Sequence, residues 1–236
     1  MSLAAAENAQ RKPNEMALAD ERTTLTWAEL DATLNRATHG LLDRQGDRAG
    51  AARRRVAVFA PNSAEGVIVY LSALQAGVYS VPVNFHFTAD EVAYILEDSD
   101  ADTLFVGPET ADIGLAAAAK AGLRTVIGWR CGDRPGLTPW SDWLAAAPNA
   151  EPPSDMPPRP HLHYTSGTTG RPKGTETPPA MFPAGASVAE VFAQLRNQMA
   201  ELGDRSPGMV VSPLYHTGPL GSVRALGGGN ALVVLS

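Results

Sequence analysis

Two hydrophobic rhythms alternate along the chain. VAVFA (56–60), VYSVPV (78–83), TLFV (103–106) and TVI (125–127) are short, apolar and rich in β-branched residues, which predicts buried strands. The segments between them carry helix signals. Thr26-x-x-Glu29 is a capping-box pattern opening a helix that reaches about Arg44. Asn62 or Ser63 caps a helix ending near Gln75, with Gly77 placed to stop it. Thr88-x-x-Glu91 repeats the capping pattern before AYILED, and the alanine-rich 111–121 segment stops at Gly122. Strand and helix in turn predict a mainly parallel sheet with helices on its faces, an α/β fold.

The rhythm breaks at 148–160, PNAEPPSDMPPRP, where six prolines fall in thirteen residues. Such a stretch is an extended connector. The expected layout is a first α/β subdomain over 1–150, the connector over 151–160 and the start of a second α/β subdomain over 161–236. In the second, HLHYT (161–165) alternates like a strand, and NALVVL (230–235) is another. Val188, Val191, Phe192, Leu195, Met199 and Leu202 recur at helical spacing up to Gly203, as a core-facing stripe does. One helix and a few strands do not close a layer, so the second unit reads as incomplete. An exposed apolar face is expected there, unless another chain or the remainder of the domain covers it.

Composition narrows the classes. At 44% hydrophobic and 19% charged residues, the chain predicts a packed core. A net charge of −6 argues against a nucleic-acid or membrane-surface binder. Arg53-Arg54-Arg55 is the sole basic cluster and is expected to be a solvated strand start. A single cysteine, Cys131, excludes an internal disulfide framework, and MSLAAAENAQRKP lacks a signal-peptide pattern. Both point to a cytoplasmic protein. The most apolar stretch, 66–83, divides into helix and strand, so no membrane span is expected. Much Ala, Arg, Gly and Pro with little Lys hints at a bacterial, GC-rich source.

The strongest chemical signal is YTSGTTGRPKG (164–174). Its glycines let the backbone turn tightly and approach a ligand. Four hydroxyl side chains (Thr165, Ser166, Thr168, Thr169) and successive N–H groups supply donors for an anion, above all a phosphate. Lys173 adds a mobile cation, in a chain with three lysines against sixteen arginines. The loop follows a predicted strand, where open α/β sheets bind nucleotides. It is not GxxxxGK[ST], since Pro172 precedes Lys173 and Gly174 follows, and no GxGxxG follows a strand.

YTSGTTGRPKG resembles the signature loop of the adenylate-forming superfamily: acyl-CoA synthetases, luciferases and the adenylation domains of peptide synthetases. LTWAELDATLNRATHGL (25–41), the strand–helix–strand segment 56–84, TADEVAYILEDSDADTLFV (88–106) and PLYHTGPL (213–220) resemble further family segments in the expected order. The resemblance runs from about Asn14 onward and implies the first part of the large N-terminal domain. The family's adenine- and ribose-binding elements and its C-terminal domain have no counterpart within the 236 residues.

The resemblance implies that ATP and a carboxylic acid, fatty or similar, form an acyl-adenylate and pyrophosphate, after which coenzyme A takes the acyl group. Thr165, Ser166, Gly167, Thr168, Thr169, Gly170 and Lys173 would hold the β- and γ-phosphates with Mg²⁺. Lys173 and His216 are the expected catalytic residues, His216 where the carboxylate meets the nucleotide. Tyr215 and Leu220 would line the acyl site. Two alternatives stay open: an adenylation domain loading a carrier protein, and a non-catalytic nucleotide-binding or interaction module. The fragment by itself is expected to be inactive, and a homodimer is left open. His161 and His163 share a strand face at a spacing that could bind metal, but no further ligand pattern joins them, so a packed face is expected and no protein metal site. Glu97, Asp98, Asp100 and Asp102 read as a solvated helix end.

Overall fold

A computed structural model describes residues 4–42, 54–165, 172–177, 185–203 and 206–236. Eight helices and eleven strands are assigned within them. The first half carries α1 (Ala4–Arg11), β1 (Met16–Ala19), β2 (Thr24–Thr26), α2 (Trp27–Leu42), β3 (Arg55–Phe59), α3 (Ala64–Gln75), β4 (Tyr79–Val83), α4 (Ala89–Asp98), β5 (Thr103–Val106) and α5 (Ala111–Lys120). Then follow β6 (Val126–Gly128), β7 (Thr138–Pro139), α6 (Trp140–Ala145), β8 (Leu162–Thr165), β9 (Lys173–Glu176), α7 (Val188–Glu201), β10 (Gly208–Val210), α8 (Thr217–Gly227) and β11 (Leu232–Val234).

The apolar runs form the predicted parallel sheet, in the order β4-β3-β5-β6-β7. Strands β3 to β6 are buried on both faces, as parallel sheets are, while the edge strand β7 is not. Val56 and Val58 of β3 face one core with α3, while Ala57 and Phe59 face the other with α4 and α5. The capping signals work as read. Ser63 Oγ accepts from Gly66 N at 3.1 Å, and Thr88 and Glu91 form a reciprocal capping box. Thr26 and Glu29 bond reciprocally in the same way. Gly77 takes φ +63° just past α3, a conformation that favours glycine. All twelve residues of α3 are buried, so it is a helix wrapped by protein on every side.

The second sheet has the order β10-β11-β1-β2. Strand β11, expected within the second unit, pairs in parallel with β10, which was not predicted, and with β1 near the chain start. Leu18 lies opposite Leu232 and Ala19 opposite Val233. Helices α2, α3, α7 and α8 share one core with β1, β10 and β11. The two sheets therefore sandwich a common helical layer. Gly227 and Gly228 permit the closest helix contact: a Cβ on Gly228 would lie 2.7 Å from the Leu195 carbonyl oxygen on α7.

Two expectations are corrected. The arginines at 54 and 55 are not solvated; Arg53 lies outside the described residues. Arg54 is 8% exposed, pairs with Asp102 at 3.1 Å and donates to the Leu41 carbonyl. Arg55 donates to the Ser99 carbonyl and lies over the Tyr79 ring. Their fixed carbonyl and carboxylate partners outcompete water, because a guanidinium stem packs while its head bonds. The stripe on α7 is buried only in its first half. Val188, Val191, Phe192 and Leu195 are buried, Met199 is half-buried and Leu202 is exposed. Apolar surface also shows at the sheet edge, where Met209 and Val211 are 63% and 68% exposed. No helix among the described residues is long and apolar enough to cross a membrane.

Candidate functional site

The YTSGTTGRPKG segment spans the connection of the β8–β9 hairpin. The strands pair antiparallel, with Thr165 opposite Lys173 and Tyr164 opposite Gly174. Ser166, Gly167, Thr168, Thr169, Gly170 and Arg171 lie outside the described residues. The structure places the hairpin's base: a strand leads in, as predicted, and a second strand leads out. Lys173 is exposed at that base and forms no ion pair among the described residues.

Two tyrosines fasten the hairpin to α4. Tyr94 Oη donates to the Pro172 carbonyl at 3.0 Å, and Tyr164 Oη donates to the Asp98 carboxylate at 2.7 Å. Burial and that carboxylate both hold the Tyr164 phenol well above its ordinary range, so it stays a donor. Gly174 has a local reason to be glycine. A Cβ there would sit 3.2 Å from the Tyr164 ring and hydroxyl. Asp98 thus serves the hairpin, which the reading of 97–102 as a solvated helix end missed. A tyrosine two places before a glycine-rich turn was its only sequence signal.

One parallel bridge, Ser80 to His161, brings β8 alongside β4. The Ser80 hydroxyl and His161 Nδ1 are 2.5 Å apart, and the Tyr70 ring meets the imidazole edge-on at 5.8 Å. His161 is buried, and burial first, then the charges of His163 and Arg224, push its pKa down to about 3. It is neutral at ordinary pH. His163 is half-buried and also shifted down, chiefly by burial; a hydrogen bond to the Tyr215 backbone works the other way. The two histidines pack together with ring centroids 6.1 Å apart. No group of three His, Cys, Asp or Glu residues that could hold a metal occurs among the described residues.

The 213–220 segment is anchored by Asn62. Its side chain donates to the carbonyls of Ser212 at 3.0 Å and Leu235 at 2.9 Å, and accepts from Leu214 N at 2.7 Å. One amide thereby joins the end of β3's loop, the approach to α8 and the end of β11. The result fixes His216 at the N-cap of α8, in extended backbone, where its side chain makes no capping bond. The imidazole is exposed and lies 4.3 Å, centroid to centroid, from Tyr215, which in turn meets Phe85 edge-on at 5.6 Å. Leu220 is fully buried. His163 on β8 feels the Tyr215 backbone and the charges of His216 and Arg224, so the hairpin strand and the start of α8 lie side by side. Asn62 was singled out only as an alternative cap for α3, a place that Ser63 takes, and Arg224 was not singled out by sequence. The signal for Arg224 was a lone charge inside the apolar SVRALGGG.

The arrangement joins a glycine-rich hairpin, a lysine with no ion pair among the described residues and an exposed histidine at a helix start. Comparison with known proteins gives its class. The model of the AMP-binding enzyme family matches residues 5–236, and the chain belongs to that family. Among curated relatives, a feruloyl-CoA synthase of an Amycolatopsis species is 33% identical over 221 residues, covering 91% of this chain and 39% of that protein. The long-chain-fatty-acid–CoA ligase FadD13 of Mycobacterium tuberculosis is 32% identical over 161 residues, covering 64% of this chain and 29% of that protein. The crystal structure of the anthranilate CoA ligase AuaEII with anthranoyl-AMP superimposes with a TM-score of 0.74 at 21% identity, over 98% of this chain and 44% of that one. The fold is that of the N-terminal domain of adenylate-forming enzymes. The chain spans less than half the length of these relatives.

Proposed function

We propose that this chain is the phosphate-binding part of an AMP-forming acid–thiol ligase. A carboxylic acid with a fatty or similar stem attacks the α-phosphate of ATP. Pyrophosphate leaves, and coenzyme A takes the acyl group from the acyl-adenylate. Thr165, Ser166, Gly167, Thr168, Thr169, Gly170 and Lys173 grip the β- and γ-phosphates. Lys173 neutralises charge that grows on the departing pyrophosphate, the step where a fixed cation helps most. His216 orients the carboxylate at the start of α8. Mg²⁺ accompanies the triphosphate, as it does where phosphates provide most of its ligands.

The observation that carries this reading is the hairpin bearing YTSGTTGRPKG lying beside the segment that holds His216. Lys173 is exposed and has no ion pair among the described residues, which fits a phosphate: a cation already tied to a carboxylate would not. The relatives act on ferulate and on long-chain fatty acids by name, so acid activation is supported and the acid itself is left to experiment. The 236-residue chain alone is proposed to be inactive, and the protein cytoplasmic.

The test is ATP–pyrophosphate exchange by the full-length protein across a panel of carboxylic acids. Exchange with at least one acid is expected, and Lys173→Ala should lower it by about tenfold or more. No exchange with any acid removes the proposal. Transfer to a phosphopantetheinyl carrier, with none to free coenzyme A, would reassign the acceptor and keep the first step.

A further inference from the structure

Arg224 is the one charged side chain of α8, set between Val223 and Ala225. It is half-buried, and its Nη1 is closed off from solvent with no hydrogen-bond partner. Burial alone acts on its pKa, downward; no carboxylate among the described residues offsets it. None of the described ion pairs includes it. The groups it does influence are His161 and His163, neither of which can neutralise a cation. His163 Nε2 is likewise closed off without a partner. A guanidinium does not shed its proton at ordinary pH. A desolvated one without a counter-charge is unfavourable, and protein interiors supply the missing partner. Here the partner called for is an anion.

We infer that Arg224 binds a second acidic group on the acid being activated, so that the preferred substrate has an apolar stem with an anionic tail. This rests on the ligase reading above and adds the substrate class. Roughly 12 Å of helix axis separates His216 from Arg224 at 1.5 Å per residue. The reacting carboxylate at the helix start and the tail at Arg224 therefore fall at two ends of one elongated site. Acids whose two anionic groups are several atoms apart fit that distance; adjacent carboxylates do not. A site that bonds a polar tail discriminates strongly against the analogue that lacks it, because the buried donor is then left unpaired.

The test uses the full-length enzyme and matched acids: hexanoate with adipate, octanoate with suberate, decanoate with sebacate. For at least one pair, kcat/KM for the diacid should exceed that for the monoacid by about tenfold or more. Arg224→Met should lower that ratio by about tenfold or more, mainly through the KM of the diacid, and Arg224→Lys should restore part of it. Thermal melting establishes that the variants fold. If Arg224→Met does not fold, Arg224→Gln and Arg224→Lys carry the same ratio. A wild-type enzyme that favours the monoacid of every pair overturns the inference and leaves the ligase reading standing. So does a folded variant that lowers both acids alike, or one that raises only the KM for ATP. Absence of exchange with every acid removes the ligase reading itself.

Discussion

At the scale of single residues, burial decides more than residue type. His161 was legible as a strand residue, and its pairing with Ser80 was not, because that bridge joins segments far apart in sequence. The consequence is a pH dependence with a defined sign. Folding takes a histidine of ordinary pKa and holds it near 3. Between those values the unfolded chain binds a proton that the folded chain refuses. Stability therefore rises with pH up to about 6.5 and falls as the solution is acidified below it. Unfolding free energy measured from pH 4.5 to 6 should show a slope reduced in His161→Gln by up to about 1.4 kcal/mol per pH unit. An unchanged slope would mean that the imidazole takes up its proton in the folded state. Arg54 and Arg55 give the same lesson: their charges read as solvated, and their fixed carbonyl partners showed only in three dimensions.

At the scale of elements, the hairpin is the unit to perturb. Helix starts were legible because a cap needs only four consecutive residues, as Ser63, Thr88 and Thr26 show. Strand β9 was not, since KGTE carries no apolar alternation and is exposed throughout. It exists because β8 offers it a partner and α4 holds the turn-side end of the pair through Tyr94 and Tyr164. Removing one hydroxyl in Tyr94→Phe should loosen the exit of the glycine-rich turn. A rise of roughly threefold to tenfold in KM for ATP is expected, the worth of about one hydrogen bond, with a smaller effect on KM for the acid. Steady-state kinetics with each substrate varied in turn checks this; equal KM for ATP in both proteins would show that the tyrosine does not position the turn.

At the scale of the molecule, the parallel sheet was legible and the second sheet was not. The first is the more local: β3 and β4 pair across one helix, as do β5 and β6, and β3 and β5 lie one helix–strand–helix unit apart. The second is closed by β1 against β11, and nothing in MALA announces a partner at the opposite end of the chain. Removing residues 4–26 should strip one of the two partners from β11 and bare the core around Leu232 that Leu18 covers. We expect most of such a protein in the pellet after centrifugation of a lysate, as unpaired apolar edges aggregate. A soluble truncated protein with an unaltered melting temperature would show that β1 adds little.

The same β1–β11 pairing sets an order of events during synthesis. The β1–β2 ribbon leaves the ribosome first, yet one side of it stays unmatched until Leu232 and Val233 emerge. At translation speeds of roughly 5–20 residues per second that interval is on the order of 10–40 s. Throughout it the nascent polypeptide carries an open apolar edge, the kind of surface that invites wrong association before folding is complete.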